Sequence, residues 1–210
     1  LNLPYPGSRA LLNIDTTWIT SRQRRYICKG RWGQELMEYC LRRYSWDYQT
    51  FESIHWDAVR TVRQACTSTQ QRQTSKIMHG WLPVMHMRSH VTGLSQCPGC
   101  SCDDETILHL FQCRNKTMKA TKKESFEQLQ KKGRKAGIPR HIIQAVARLC
   151  KRAGEEKTTY LEPTDIEPIQ RAISQQVSIG VPMLLRGFLA RGWFEALVEA
   201  GVSHPTQTGK

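Results

Sequence analysis

Four metal-binding side chains fall within 17 residues of this chain: Cys97, Cys100, His109 and Cys113, in the pattern C-x2-C-x8-H-x3-C. No other stretch constrains the fold as tightly, because a tetrahedral ion dictates where each of four ligands must sit. Structural zinc sites are built from Cys thiolate and His nitrogen. The run Cys97-Pro98-Gly99-Cys100 puts two thiolates on one tight turn, where proline presets φ and glycine accepts a positive φ. The second pair reads as helical. Asp103 and Asp104 are the expected N-caps, and Glu105 adds negative charge to the first turn. His109 and Cys113 stand four residues apart and so share one helix face. Ile107, Leu108, Leu110 and Phe111 are placed to cover the site and exclude water.

Cys102 is a fifth candidate, two residues after Cys100. C-x2-C is the usual knuckle spacing, and C-x-C is harder to close around one ion, so Cys97, Cys100, His109 and Cys113 are the expected set. The alternative for eight cysteines is reduced thiols or disulfides. Cys28, Cys40, Cys66 and Cys150, however, are scattered over helical segments with no framework spacing. Four protein ligands leave no position for water, which gives the expected Zn2+ a structural role rather than a catalytic one.

Charge points to the partner. Lys and Arg number 31 against 18 Asp and Glu, a formal net charge of +13. Such an excess favours phosphate-rich partners, RNA or DNA. One basic group, Arg22, Arg24, Arg25, Lys29 and Arg31, lies near the start. The densest follows the metal cluster: Lys116, Lys119, Lys122, Lys123, Lys131 and Lys132, with Arg134 and Lys135, opposed by Glu124 and Glu127. The plain alternative for each run is a solvated helix face. No stretch approaches the ~20 apolar residues of a membrane span, and the N-terminus lacks the apolar region of a secretory signal. Neither a membrane nor a small-molecule substrate is expected. Zinc-ligating thiols imply a reducing compartment, nucleus or cytoplasm. The chain begins with Leu1 rather than Met, as an excerpt of a longer polyprotein would.

Hydrophobic periodicity is helical almost throughout. Leu36, Met37, Cys40, Leu41 and Tyr44 mark one amphipathic helix, and Gly30 and Gly33 are expected to interrupt the basic segment before it. Asp47 is the expected cap of a short helix with Phe51 and Ile54 buried. Trp56, Val59, Val62 and Cys66 repeat the spacing, Ser68 to Arg72 reads as a polar turn, and Ile77, Met78 and Trp81 end a further helix before Leu82-Pro83. Ile142, Ile143, Val146, Leu149 and Cys150 define another helix. Thr164 or Asp165 is expected to cap the next, with Pro168 in its first turn. Pro182 opens a last helix reaching Val198, in which Gly187 and Gly192 each cost roughly 1 kcal/mol relative to Ala; close packing would explain them. His86 and His90 share a helix face, but no nearby Cys or carboxylate completes a second site. The fold class is mainly α: a multi-helix domain with a small zinc knuckle, made of a Cys-Cys turn plus a His/Cys helix. Its parts are an N-terminal helical part (1–80), the knuckle segment (81–115), C-terminal basic and amphipathic helices (116–200) and a loose tail (201–210).

Gly80-Trp81-Leu82-Pro83, Cys97-Pro98-Gly99-Cys100, Glu105-Thr106, His109 and Cys113 together resemble the zinc-binding region found downstream of reverse transcriptase in non-LTR retrotransposons and related retroelement-like proteins of eukaryotic microbes. Those regions carry a G-x-LP … CPxC … E-x3-H-x3/4-C run. In the microbial proteins an Ile-Thr-Ser segment and a Trp-rich segment precede the knuckle, and an Ile-Gly … Arg-Gly … Trp segment follows it. This chain has Ile19-Thr20-Ser21, Ile54-His55-Trp56, Ile179-Gly180, Arg186-Gly187-Phe188 and Trp193. The resemblance implies a non-catalytic part of a mobile-element polyprotein that helps to grip nucleic acid.

The leading expectation is therefore a zinc-stabilised nucleic-acid-binding accessory module, with Trp81 and Phe111 as candidates for stacking on unpaired bases, although a place in the core is the plainer expectation for each. The alternative is a zinc-stapled helical interaction or scaffold module, meeting an acidic partner or other parts of the polyprotein. An enzyme is not expected. The adjacent Asp103-Asp104 pair lies in a helix-cap context rather than on a polymerase hairpin, and closed coordination leaves no water for Glu105 to activate.

Overall fold

A computed structural model of the 210-residue chain describes residues 12–14, 17–19, 23–101, 104–153 and 160–202, and for residues 12–32 the backbone alone. The chain divides into two compact units, Leu1–Phe51 and Glu52–Lys210. The division falls inside the stretch 1–80, and residues 81–115 lie within the second unit.

In the first unit, β1 (Leu12–Ile14) pairs antiparallel with β2 (Thr17–Ile19), with Leu12 opposite Ile19. Sequence periodicity does not reveal this hairpin, because three residues a side are too few to show alternation. α1 (Gln23–Tyr44) then runs unbroken through Gly30 and Gly33. The expected interruption is absent: a glycine lowers helix stability without forbidding the helix. Cys40 is buried, and Trp46 packs on Tyr44 with ring centroids 4.6 Å apart. Asp47 caps α2 (Tyr48–Glu52), its Oδ1 accepting the Thr50 N–H at 2.7 Å.

The second unit is helical: α3 (Trp56–Ala65), α4 (Ser68–His79), α5 (Met85–Thr92), α6 (Ile107–Gln112), α7 (Lys116–Lys135), α8 (Arg140–Arg152), α9 (Glu167–Ile179), α10 (Val181–Leu185) and α11 (Gly192–Glu199). No described helix is long and apolar enough to cross a membrane. Three local expectations need correction. Ser68 to Arg72 is no turn, because Thr67 and Gln70 form a reciprocal capping box that starts α4 there. Asp165 does not cap α9. It is buried against Arg148, whose guanidinium donates to both of its carboxylate oxygens at 2.8 and 2.6 Å. The helix opened by Pro182 stops at Leu185 and restarts at Gly192, because Gly187 adopts φ 91°.

The core of this unit lies where α8, α9 and α11 meet, built from Ile142, Leu149, Ile169, Ile173 and Trp193. Gly192 is required by contact: a Cβ there would stand 2.9 Å from the Ala172 Cα on α9. At Gly133, between α7 and α8, a Cβ would stand 2.7 Å from the Ile143 Cδ1, the end of a side chain that can shift. One polar side chain organises the C-terminal core. Gln176, fully buried, donates to the Phe188 carbonyl and accepts from the Ala190 N–H and the Trp193 Nε1–H. The segment so fixed receives the chain around Ile54. The His55 N–H donates to Leu189, the Arg191 N–H donates to Ser53, and the His55 ring stacks on Phe194 at 3.9 Å.

Gln176→Leu keeps the volume but strands one carbonyl and two N–H groups. Each unsatisfied buried group costs about 1–3 kcal/mol, so urea denaturation is expected to show a loss of at least ~3 kcal/mol. A variant within ~0.5 kcal/mol of the parent would show that the three groups find other partners.

Candidate metal centre

The predicted ligands converge. One ligand atom from each of Cys97, Cys100, His109 and Cys113 lies within 4.8 Å of all the others. Cys97, His109 and Cys113 are buried and Cys100 is partly so. The Cys97 and Cys113 sulfurs are 3.8 Å apart, and Cys100 Sγ is 3.3 Å from His109 Nε2. A tetrahedron with metal–sulfur arms of ~2.3 Å has sulfur–sulfur edges of about 3.8 Å, whereas a disulfide needs ~2.05 Å. The donor atoms thus stand at the spacing of a metal site and not of a disulfide. Cys102 and Asp103 lie outside the described residues.

Local sequence explains each placement. The Ser101 N–H donates to the Cys97 carbonyl at 2.7 Å and closes the knuckle. Positive φ falls on Ser101, at 56°, and not on Gly99. Gly99 instead lies against Asn115, where a Cβ would meet the Asn115 Cβ at 3.4 Å. α6 starts later than expected. Thr106 is its N-cap, and its Oγ1 accepts the His109 N–H at 3.0 Å, which fixes the ligand's own backbone. Asp104 does not cap it: this residue bridges to Gln96 and takes the Ser95 hydroxyl. Glu105 turns the other way. Its Oε2 accepts the Met85 N–H at 2.7 Å, supplying α5 with the cap that Val84 lacks, while its Oε1 lies 4.0 Å from Cys97 Sγ.

Two residues tie the site to α7. Asn115 caps that helix, its Oδ1 accepting from Thr117 and Met118, and its Nδ2 donates to the Gly99 carbonyl at 2.7 Å. Lys122 reaches back so that its Nζ donates to the Phe111 and Cys113 carbonyls at 2.8 and 3.0 Å, closing the C-terminus of α6. Sequence reading missed Thr106 and Asn115 as caps. The signal was present, since each is a strong N-cap type directly before a helical run.

The Asn115 N–H pulls the Cys113 thiol down, yet burial and the neighbouring Cys97 and Cys100 sulfurs outweigh it and leave the thiol above its ordinary range. A cation that takes thiolates relieves that crowding and releases protons, so affinity falls as pH is lowered. Cys40 and Cys150, by contrast, are single thiols that burial pushes up to about 11.

Of the predicted basic residues, Lys116, Lys119, Lys123, Lys131 and Lys132 are exposed on α7, whereas Lys122 is engaged at α6. Arg24, Arg25, Lys29 and Arg31 fall on α1 with side chains outside the described ones, and Arg22 lies outside the described residues. Trp81 and Phe111 are both exposed, at 56% and 37%. His86 and His90 are exposed on α5, and His86 Nδ1 lies 3.6 Å from an Asp104 oxygen. Comparison with protein-family models, with curated proteins and with solved structures finds no match for this chain, so a functional reading rests on the site itself.

Cys97→Ala and Cys113→Ala are each expected to abolish stoichiometric metal, measured by elemental analysis of purified protein. Asn115→Ala should retain the ion with affinity about tenfold weaker in a chelator competition. Full metal content in both cysteine variants would mean that the ligand set is wrong.

Proposed function

We propose that the chain is a non-catalytic, zinc-stabilised nucleic-acid-binding module. The observation that carries this reading is the bonding of the cluster to α7 through Asn115 and Lys122, which makes ion binding and the orientation of the most basic helix one structural event. Three sulfurs and one imidazole favour zinc over hard cations such as Mg2+ or Ca2+. A set of four protein ligands supports a structural role. Lys116, Lys119 and Lys123 share one exposed face of α7 and are the proposed phosphate contacts. The resemblance of the knuckle run to the region downstream of reverse transcriptase supports a place in a retroelement polyprotein, and the thiolate ligands fit the nucleus or cytoplasm.

A second reading has one observation in its favour. Met87, Val91 and Leu94, at i, i+4 and i+7 around α5, are exposed apolar side chains, as expected of a zinc-stapled scaffold that meets a protein partner.

Titration of labelled RNA and DNA at two salt concentrations separates the two. The module is expected to bind at low salt, with affinity falling steeply as salt rises. Changing Lys116, Lys119 and Lys123 together to Gln should lower the salt slope by about two to three, and removal of the ion should weaken binding by freeing α7. Absence of binding to either nucleic acid at low salt would leave the scaffold reading.

A further inference from the structure

Trp81 occupies an unusual position for so large an apolar side chain. α4 ends in a Schellman motif: Gly80, at φ 72°, donates to Ile77, and the Trp81 N–H donates to the Lys76 carbonyl at 2.7 Å. In this motif the residue after the left-handed one usually tucks an apolar side chain against the third residue from the helix end. Here that residue is Lys76, and the usual contact is replaced. The indole stacks on the His79 ring, with centroids 4.9 Å apart and planes at 27°. More than half of Trp81 remains in water. The segment is fixed on both sides. Gly80 lies under the Arg186 guanidinium, whose carbon and two terminal nitrogens stand 3.5–3.6 Å from where a Cβ would be. Three residues on, Val84 is buried.

A rigid aromatic ring with one face on a histidine and the other toward solvent is a prepared stacking surface, and preorganisation lowers the ordering cost of binding. Its surroundings select the ligand. The His79 ring stacks on the indole, the Arg186 guanidinium lies against the preceding residue Gly80, and the Lys76 carbonyl holds the Trp81 N–H. From Ala58 to Cys102 the sequence contains no Asp or Glu, while it contains Arg60, Arg63, Arg72, Lys76 and Arg88. An acidic, aromatic-faced ligand meets both conditions, and an unpaired nucleotide is such a ligand: the base stacks and the phosphate meets the cations. In a duplex the faces of interior bases are covered by their neighbours, so only a single strand can use the indole.

We propose that Trp81 is a stacking platform for an unpaired base, with Arg186 as the adjacent phosphate contact. The proposal rests on the nucleic-acid reading above and narrows it to single-stranded ligands at this position. Oligouridylate of about 12 nucleotides, within the footprint of single-strand binders, and a duplex of equal length serve as probes in fluorescence anisotropy at low salt. Trp81→Leu keeps an apolar side chain on His79 without a ring, and Trp81→Phe keeps a ring. The Leu variant is expected to bind the single strand about tenfold more weakly and the Phe variant close to wild type, with duplex affinity and salt slope unchanged in both. Metal content and melting temperature are expected to match the parent. Three outcomes overturn the proposal. If the Leu variant equals wild type on the single strand, Trp81 faces another partner, such as a protein, and the nucleic-acid reading stands. If the Leu variant loses single strand and duplex alike, the role is structural. If wild type binds neither probe, the broader reading falls as well.

Discussion

The side-chain amide of Asn115 acts in two directions at once. Its oxygen takes two otherwise unpaired N–H groups at the start of α7, and its nitrogen holds the Gly99 carbonyl in the middle of the first ligand pair. Two residues separate Cys113 from the first residue of α7. There is no slack in that connection, so the last ligand, the knuckle turn and the helix axis share one geometry. An aspartate or serine would cap the helix, but neither offers an amide N–H for Gly99. Lys122 adds the return path by closing the carbonyl end of α6. On the other side Glu105 carries the site to α5. An ion held by Cys97, Cys100, His109 and Cys113 would therefore set the relative directions of three helices.

The C-terminal core is organised by a different polar group. Gln176 can be fully buried only because its amide is matched by the Phe188 carbonyl and the Ala190 N–H of a non-helical turn and by the indole N–H of Trp193 at the start of α11. A helix from Pro182 to Val198 would consume those backbone groups internally. The break at Gly187 frees them, and the same turn then offers Leu189 and Arg191 to the backbone around Ile54. Low dielectric makes such a network cohesive when complete and costly when any member is missing. This explains how Ile54-His55-Trp56 and Phe188 to Phe194, more than 130 residues apart in sequence, come to lie together.

What was legible in the sequence follows from this. Ligand spacing is dictated by coordination geometry, so Cys97, Cys100, His109 and Cys113 could be named from spacing alone. The apolar stripe of α8 was equally plain, because burial imposes the 3.6-residue period. Helix boundaries were less so. Asp103 and Asp104 looked like caps by type, but Thr106 sits one step before the first helical residue and takes the role. Ser68 to Arg72 looked like a turn because its composition is polar, and only the Thr67–Gln70 pair reveals a helix start. The core places of Gln176 and Asp165 could not be read, since a buried polar residue is matched by partners 12 or 17 residues away. The 3-residue strands carry too little pattern to be read at all.

Charge is distributed in a way the fold does not need. The ion pairs of the second unit include Arg148 and Arg152 on Glu162 and Asp165, and Arg171 on Glu167 and Glu199. Arginine suits this because its planar fork matches carboxylates and it is weakly hydrated. The α7 lysines form no ion pair among the described residues. Lys116 and Lys119 sit at the helix N-terminus, where the macrodipole disfavours cations, and the first turn holds no acidic residue to offset them. Lys119–Lys123 and Lys131–Lys135 are like-charge pairs at i, i+4, each unfavourable by a few tenths of a kcal/mol. These costs are absent from a helix chosen for stability alone. The costs at Lys116, Lys119 and Lys123 would be relieved by an anion across the first turns of α7, beside the Cys/His cluster, and that end of the helix is the one Asn115 holds in place.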